Sequence, residues 1–165
     1  MGKTQLINWF VNDQYEEGLE PTDGEVISDV TFDNDGDWVK VRLVDTWGVE
    51  ESVGLTSTYF RGADGILAVC ANDDDTVTEI TTIYEDEVEK VKGGKCPTIF
   101  VLNKCDEEPE GEGEGEADEQ VNDNLQILKN LAETYETDAF EVSAKTGWGV
   151  EDAFNALFKK ALSSE

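Results

Sequence analysis

An α/β sandwich built on a mostly parallel sheet is the fold class that this sequence predicts. Short β-rich runs alternate with stretches of helical periodicity along nearly the whole chain, the rhythm of strands covered by crossover helices. Two of those runs, Gly65-Ile-Leu-Ala-Val-Cys70 and Thr98-Ile-Phe-Val-Leu102, are apolar without interruption, as strands covered on both faces are.

The elements follow in order. Gln5 to Val11 has helical spacing. Val26 to Phe32 and Trp38 to Val44 read as two strands joined by Asp33-Asn34-Asp35-Gly36, a turn of residues that tolerate positive φ. Between the apolar runs lies a helix over Thr76 to Lys92, and beyond them a helix over Asn124 to Glu136. A shorter strand, Ala139 to Val142, precedes a helix over Val150 to Leu162 that places Val150, Ala153, Phe154, Leu157, Phe158 and Leu162 on one face. Asp106 to Glu119 breaks the rhythm. This Glu/Gly run holds no apolar residue except Ala117, so burial offsets little of its ordering entropy, and it reads as a disordered acidic loop, 106–119. It lacks the residue order of an EF-hand, so solvated disorder is preferred to a Ca2+ site. Trp9, Trp38 and Trp148 are read as packing residues rather than ligands.

Composition excludes several functions. At 165 residues and 38% hydrophobic content the chain suits one domain, residues 1–165. Lys and Arg number 12 against 39 Asp and Glu, a formal charge of -27, which repels a nucleic-acid backbone or an anionic membrane surface. The same acidity fits a high-salt cytoplasm or a merely acidic surface. Cys70, Cys96 and Cys105 have no CxxC spacing and there is no histidine, so a zinc site or a histidine-activated nucleophile is not expected. No apolar run approaches the roughly 20 residues that span a bilayer, and a reduced cytoplasmic setting is expected.

Chemistry concentrates in four short motifs. Gly2-Lys3-Thr4 matches the end of a phosphate-binding loop running into a helix, where backbone N–H groups cradle phosphate, the lysine reaches the β/γ-phosphates and the hydroxyl binds Mg2+. Alone that tripeptide is a weak signal. Asp45-Thr46-Trp47-Gly48 ends a strand, where the carboxylate can hold Mg2+ through water and the glycine N–H can meet a γ-phosphate. Asn103-Lys104-Cys105-Asp106 ends another strand, and its final carboxylate can accept both N–H groups of the Watson–Crick edge of guanine, which adenine does not offer. Ser143-Ala144-Lys145 ends the last strand. Each motif singly is an ordinary strand-to-loop junction; four in this order are specific.

With these motifs the sequence resembles the Ras superfamily of small GTPases, and within it the Rab family. Leu55-Thr-Ser-Thr-Tyr-Phe-Arg-Gly-Ala-Asp-Gly65 is similar to the Rab signature, as are Phe140-Glu-Val-Ser-Ala-Lys-Thr146 and Val150-Glu-Asp-Ala-Phe154. The resemblance implies a three-layer α/β/α sandwich, a P-loop small G-domain, here without the family's first strand. It implies GTP/GDP and Mg2+ as ligands, and effectors, an exchange factor and an activating protein as partners. By the same resemblance Gly2, Lys3 and Thr4 hold phosphate and Tyr15 stacks on the guanine. Asn103, Lys104 and Asp106 select the base, and Ser143, Ala144 and Lys145 support it. Thr4, Thr22 and Asp45 serve the metal, while Lys3, Thr22 and Gly48 act on the γ-phosphate.

The departures carry expectations of their own. The phosphate loop begins at its last glycine, so the sheet is expected to be fragile unless the natural chain is longer, the strands re-pair or another chain adds a strand; an incomplete sequence is the reading preferred. Where the family has a water-orienting glutamine stands Val49, and where it has a small residue stands Trp47, so intrinsic hydrolysis should be very slow. Gly24-Glu-Val-Ile27 replaces the Rab hydrophobic stretch of switch I, which changes the surface that effectors meet. Leu162-Ser-Ser-Glu165 carries no cysteine for a prenyl group, so this chain is expected to have no direct membrane anchor and to reach endomembranes by recruitment. A guanine-nucleotide switch in vesicle traffic or signalling is the leading function. A pseudo-GTPase interaction module is the alternative, and an ATP-using P-loop kinase a distant third, because the base-selecting motifs have no role there.

Overall fold

The computed structural model describes residues 1–19, 26–46, 62–84, 96–106 and 123–163. Their order is α1 (Lys3–Asn12), β1 (Val26–Asn34), β2 (Asp37–Asp45), β3 (Ile66–Ala71), α2 (Asp74–Ile83), β4 (Thr98–Asn103), α3 (Asp123–Thr134), β5 (Asp138–Glu141) and α4 (Val150–Leu162). The acidic run expected to be disordered lies outside the described residues except for Asp106.

β3, β4 and β5 form a parallel sheet with β4 in the centre, Val69 facing Val101 and Val101 facing Phe140. Side chains alternate across such a sheet. Val69, Ile99 and Val101 enter one core with Leu6 of α1 and Phe154, Leu157 and Phe158 of α4. Ala68, Cys70, Phe100 and Leu102 enter a second core with Val77 of α2 and Leu128 and Leu131 of α3. Helices thus cover both faces, as the alternation of strand and helix predicts.

β1 and β2 pair antiparallel from Val26 opposite Asp45 to Asn34 opposite Asp37. Their turn uses Asp35 at φ 53° and Gly36 at φ 100°, and the Gly36 N–H donates to Oδ1 of Asp33 over 2.7 Å. Phe32 and Leu43 reach from this hairpin into the first core. Among the described residues no ladder joins β2 to β3: the strands form a two-stranded and a three-stranded sheet over a shared core.

Aromatic rings join the layers. Phe10 of α1 stacks on Phe154 of α4 with centroids 4.3 Å apart, and Phe158 meets both Phe10 and Phe32 edge-on. On the other face Tyr84 packs edge-on against Phe100 and Tyr135 and donates its hydroxyl to Oγ1 of Thr98. α2 begins two residues before the expected Thr76 because Asp73 caps it, accepting from the Thr76 N–H at 2.8 Å. In α4, Glu151 and Asp152 open and Lys159 and Lys160 close the helix, each sign matched to the dipole. The expectation that Trp38 and Trp148 are packing residues is corrected: they are 72% and 57% exposed, whereas Trp9 is partly buried against the first core. Trp38 sits beside the hairpin turn and Trp148 in the loop before α4, positions that neither core reaches.

Candidate functional site

The ends of β2, β4 and β5 and the start of α1 bring the expected residues together. Asn103, the last residue of β4, is 2% exposed and bonded in two directions. Its Nδ2 donates to the Met1 carbonyl at 2.9 Å, and its Oδ1 accepts the Ala144 N–H at 3.0 Å. A buried amide satisfied on both sides is a rigid tie, here between the segment leading into α1 and the loop after β5. Gly2 stands against it at φ 85°, and a β-carbon there would come within 2.7 Å of Nδ2. Glycine meets both demands, the left-handed backbone and the close approach.

Past Asn103 the chain turns sharply through Lys104 at φ 67°. Lys104 is exposed, and the chain returns so that Asp106 faces the last loop. Ser143, 1% exposed, donates its hydroxyl to Oδ1 of Asp106 at 2.6 Å. Its Oγ also accepts the Thr146 N–H at 3.1 Å, and the Gly147 N–H bonds the Ser143 carbonyl at 2.8 Å, closing a tight turn. Lys145, its side chain exposed, lies 3.8 Å from the other oxygen of Asp106, whose side chain is mostly covered, a long pairing that adds little stability. The carboxylate is therefore aimed by Ser143. Between these residues, burial and the nearby carboxylate of Glu141 push the Cys105 thiol up to about 11, so it stays neutral at physiological pH and is no nucleophile.

At the other end of the site, the Thr4 hydroxyl in the first turn of α1 donates to Oδ2 of Asp45, the last residue of β2, at 2.6 Å. Asp45 is 3% exposed. A hydroxyl that donates to a carboxylate turns its lone pairs away from it, so two hard oxygen donors stand together at a helix start. That donor set fits Mg2+, which takes one or two protein oxygens and completes its shell with phosphate and water. Among the described residues no cluster of three or more carboxylate, thiol or imidazole groups forms a site that is all protein. Lys3 opens α1 beside Thr4.

Other expected residues are not gathered in. Tyr15 is exposed in the loop after α1, a loop held to the helix by Gln5, whose Nε2 donates to the Glu16 carbonyl and whose Oε1 accepts the Glu16 N–H. Thr22, Trp47, Gly48 and Val49 lie outside the described residues. Sequence reasoning missed the Met1 carbonyl, which no motif contains, and the contact of Trp9 with Gly147, which only the fold creates. Among the described residues no helix is long and apolar enough to cross a membrane.

A parallel sheet covered by helices on both faces, with these motifs at its strand ends, is the α/β architecture of a P-loop small G-domain. The chain belongs to the Ras family, whose family model matches residues 1–163. It is 27% identical over 168 residues to Ras-related protein Ral-a of Drosophila melanogaster, covering 99% of this chain and 76% of that one. It is 30% identical over 158 residues to Ras-related protein Rab-1D of Dictyostelium discoideum, covering 95% and 72%, and 28% identical over 166 residues to Ras-related protein Rab-13 of Mesocricetus auratus, covering 98% and 75%. Members of the family bind GTP and GDP with Mg2+, hydrolyse GTP and work through regulators and effectors.

Proposed function

We propose that residues 1–165 form a single Rab-like G domain that acts as a guanine-nucleotide switch with slow GTP hydrolysis, in vesicle traffic or signalling. One observation carries this reading: Ser143 bonds Asp106, and Asn103 bonds both the Ala144 N–H and the Met1 carbonyl just ahead of Gly2 and Lys3, so the motifs at 103–106, 143–145 and 2–4 lie side by side. A carboxylate aimed by a serine accepts paired N–H donors, and guanine presents such a pair. The Ala144 N–H is already committed to Asn103, so it supports the base by holding the loop.

In this reading Lys3 neutralises the β/γ-phosphates, and the N–H groups that open α1 receive phosphate oxygens with the helix dipole behind them. Thr4, Asp45 and Thr22 would hold Mg2+, which would supply positive charge against the phosphates. Gly48 meets the γ-phosphate, Tyr15 closes over the base, and Lys104 and Lys145 flank it. Val49 has no group with which to orient a water, which supports slow turnover. The likeness to Rab proteins supports regulators and effectors of the Rab type, met at endomembranes.

Trp47 and Val49 also favour a second reading, a pseudo-GTPase interaction module. The test is equilibrium binding of GDP and ADP to the full chain with Mg2+. Binding of GDP at least about tenfold tighter than ADP supports the switch. Binding of neither supports the interaction module, and equal binding removes Asp106 as a selector.

A further inference from the structure

Trp9 lies on α1, five residues beyond Thr4 and therefore about 8 Å along the helix from the metal and phosphate end. Its indole is partly buried against the core, and its far edge occupies the space beside Gly147. A β-carbon built on Gly147 would fall 1.8 Å from Cζ2 of Trp9 and 2.1 Å from Cε2, far inside contact distance. Gly147 also sits at φ 83°, where side chains are strained. The bare face of this glycine is thus filled by the indole.

Gly147 belongs to the turn that presents Ser143. Its N–H bonds the Ser143 carbonyl, the Ser143 N–H bonds the Trp148 carbonyl at 2.9 Å, and the Val150 N–H returns to the Gly147 carbonyl at 3.3 Å. Ser143 in turn aims Asp106. A continuous run of contacts leads from the helix bearing Lys3 and Thr4, through Trp9, into the turn whose serine orients the base-facing carboxylate. Asn103 provides one tie between the phosphate end and this loop; Trp9 provides a second, on the side of the turn that Asn103 does not touch.

We infer that Trp9 is a positioning residue for base selection, wedging the 143–148 turn so that Ser143 keeps Asp106 in register with the phosphate end of the site. The inference rests on the nucleotide reading above. Trp9 touches no ligand in this role; it acts through Gly147 and Ser143.

The experiment compares GDP with inosine diphosphate, which lacks the 2-amino group, by displacement of a fluorescent GDP from the full chain. Their affinity ratio reads the 2-amino half of the Asp106 contact, whereas general loosening weakens both equally. Trp9→Ala is expected to weaken GDP about tenfold and to bring the ratio towards one, with Trp9→Phe restoring part of it. Trp9→Leu, which removes the indole without adding strain to the 143–148 turn, should move the ratio in the same direction and decides the matter if Trp9→Ala does not fold. A wild-type chain that discriminates between the two nucleotides, with both variants folded and their ratio unchanged, overturns the role of Trp9 and leaves the nucleotide reading standing. A wild-type chain that binds neither overturns both.

Discussion

Ser143 donates its hydroxyl to Oδ1 of Asp106 across 2.6 Å, so the orientation of this carboxylate is set by a side chain 37 positions away in sequence. Replacing Asp106 by asparagine puts a donor where guanine needs an acceptor. Asp106→Asn should weaken GDP and strengthen xanthosine diphosphate, each by roughly tenfold or more, in a displacement assay. Unchanged base preference removes Asp106 from the base-selecting role.

The Thr4–Asp45 bond makes a second prediction. If these oxygens hold Mg2+, chelation should speed GDP release from the wild-type chain, and Thr4→Ala should release it fast with or without chelator. A charged hydrogen bond of ~1.5–3 kcal/mol corresponds to about ten- to a hundredfold in rate. GDP release that ignores chelator in the wild-type chain would sink the metal assignment.

β2 and β3 each present an edge that no ladder occupies among the described residues, over one shared core. The Met1 carbonyl rests on Asn103 at the end of β4, so a segment placed ahead of Met1 would start beside the sheet. Prefixing an apolar strand and a complete phosphate loop should raise Tm. At ~1.5–3 kcal/mol per buried aliphatic side chain and about 2–4 °C per kcal/mol, the gain is roughly 10 °C or more. No gain in a thermal melt would mean that such a segment does not enter between the sheets.

Turnover tests the reading of Val49 and Trp47. On that extended chain, Val49→Gln with Trp47→Ala should raise single-turnover GTP hydrolysis by at least about tenfold, roughly 1.4 kcal/mol of barrier. Equal rates with GTP bound in both proteins would show that neither residue limits the chemistry.

Cys70 supplies a pH dependence. Burial, with Asp73 and Cys105 nearby, pushes its thiol from 9.0 up to about 12. Its folded pKa is raised, so above pH 9 the unfolded chain holds fewer protons and stability falls as pH climbs through 9 towards about 12, being unaffected below. Cys70→Ala should flatten that part of the denaturation profile relative to wild type. Parallel profiles would place the loss in other groups.

Much of this was legible in the sequence, for reasons particular to each part. The runs at 65–70 and 98–102 announced buried strands because nothing polar interrupts them, and Asp35-Gly36 announced the hairpin because few residues accept positive φ. Boundaries moved by a residue or two where a side chain intervened, as Asp73 does for α2. Asn103, Asp106, Ser143 and Ala144 were legible as motifs, and their mutual bonds were not, since hydrogen bonds between positions 37 to 102 apart exist only once the strands are side by side. Trp38 and Trp148 were misread because hydrophobicity gives no account of which aromatic side chains the helices leave uncovered.

The division into two sheets also sets how the molecule opens. The β1–β2 ladder closes over a two-residue turn and borrows from the common core through one face, Val30, Phe32, Val41 and Leu43, whereas β3, β4 and β5 are locked by crossovers and two layers of helices. Amide protons of the hairpin should therefore exchange with deuterium through a local opening of lower free energy, and those of Ile99 to Leu102 only when the whole domain unfolds. The hairpin is then a semi-independent lever, and a protein that grips its outer face would pull on Asp45 at its end and, through the Thr4 hydroxyl bonded to it, on the start of α1.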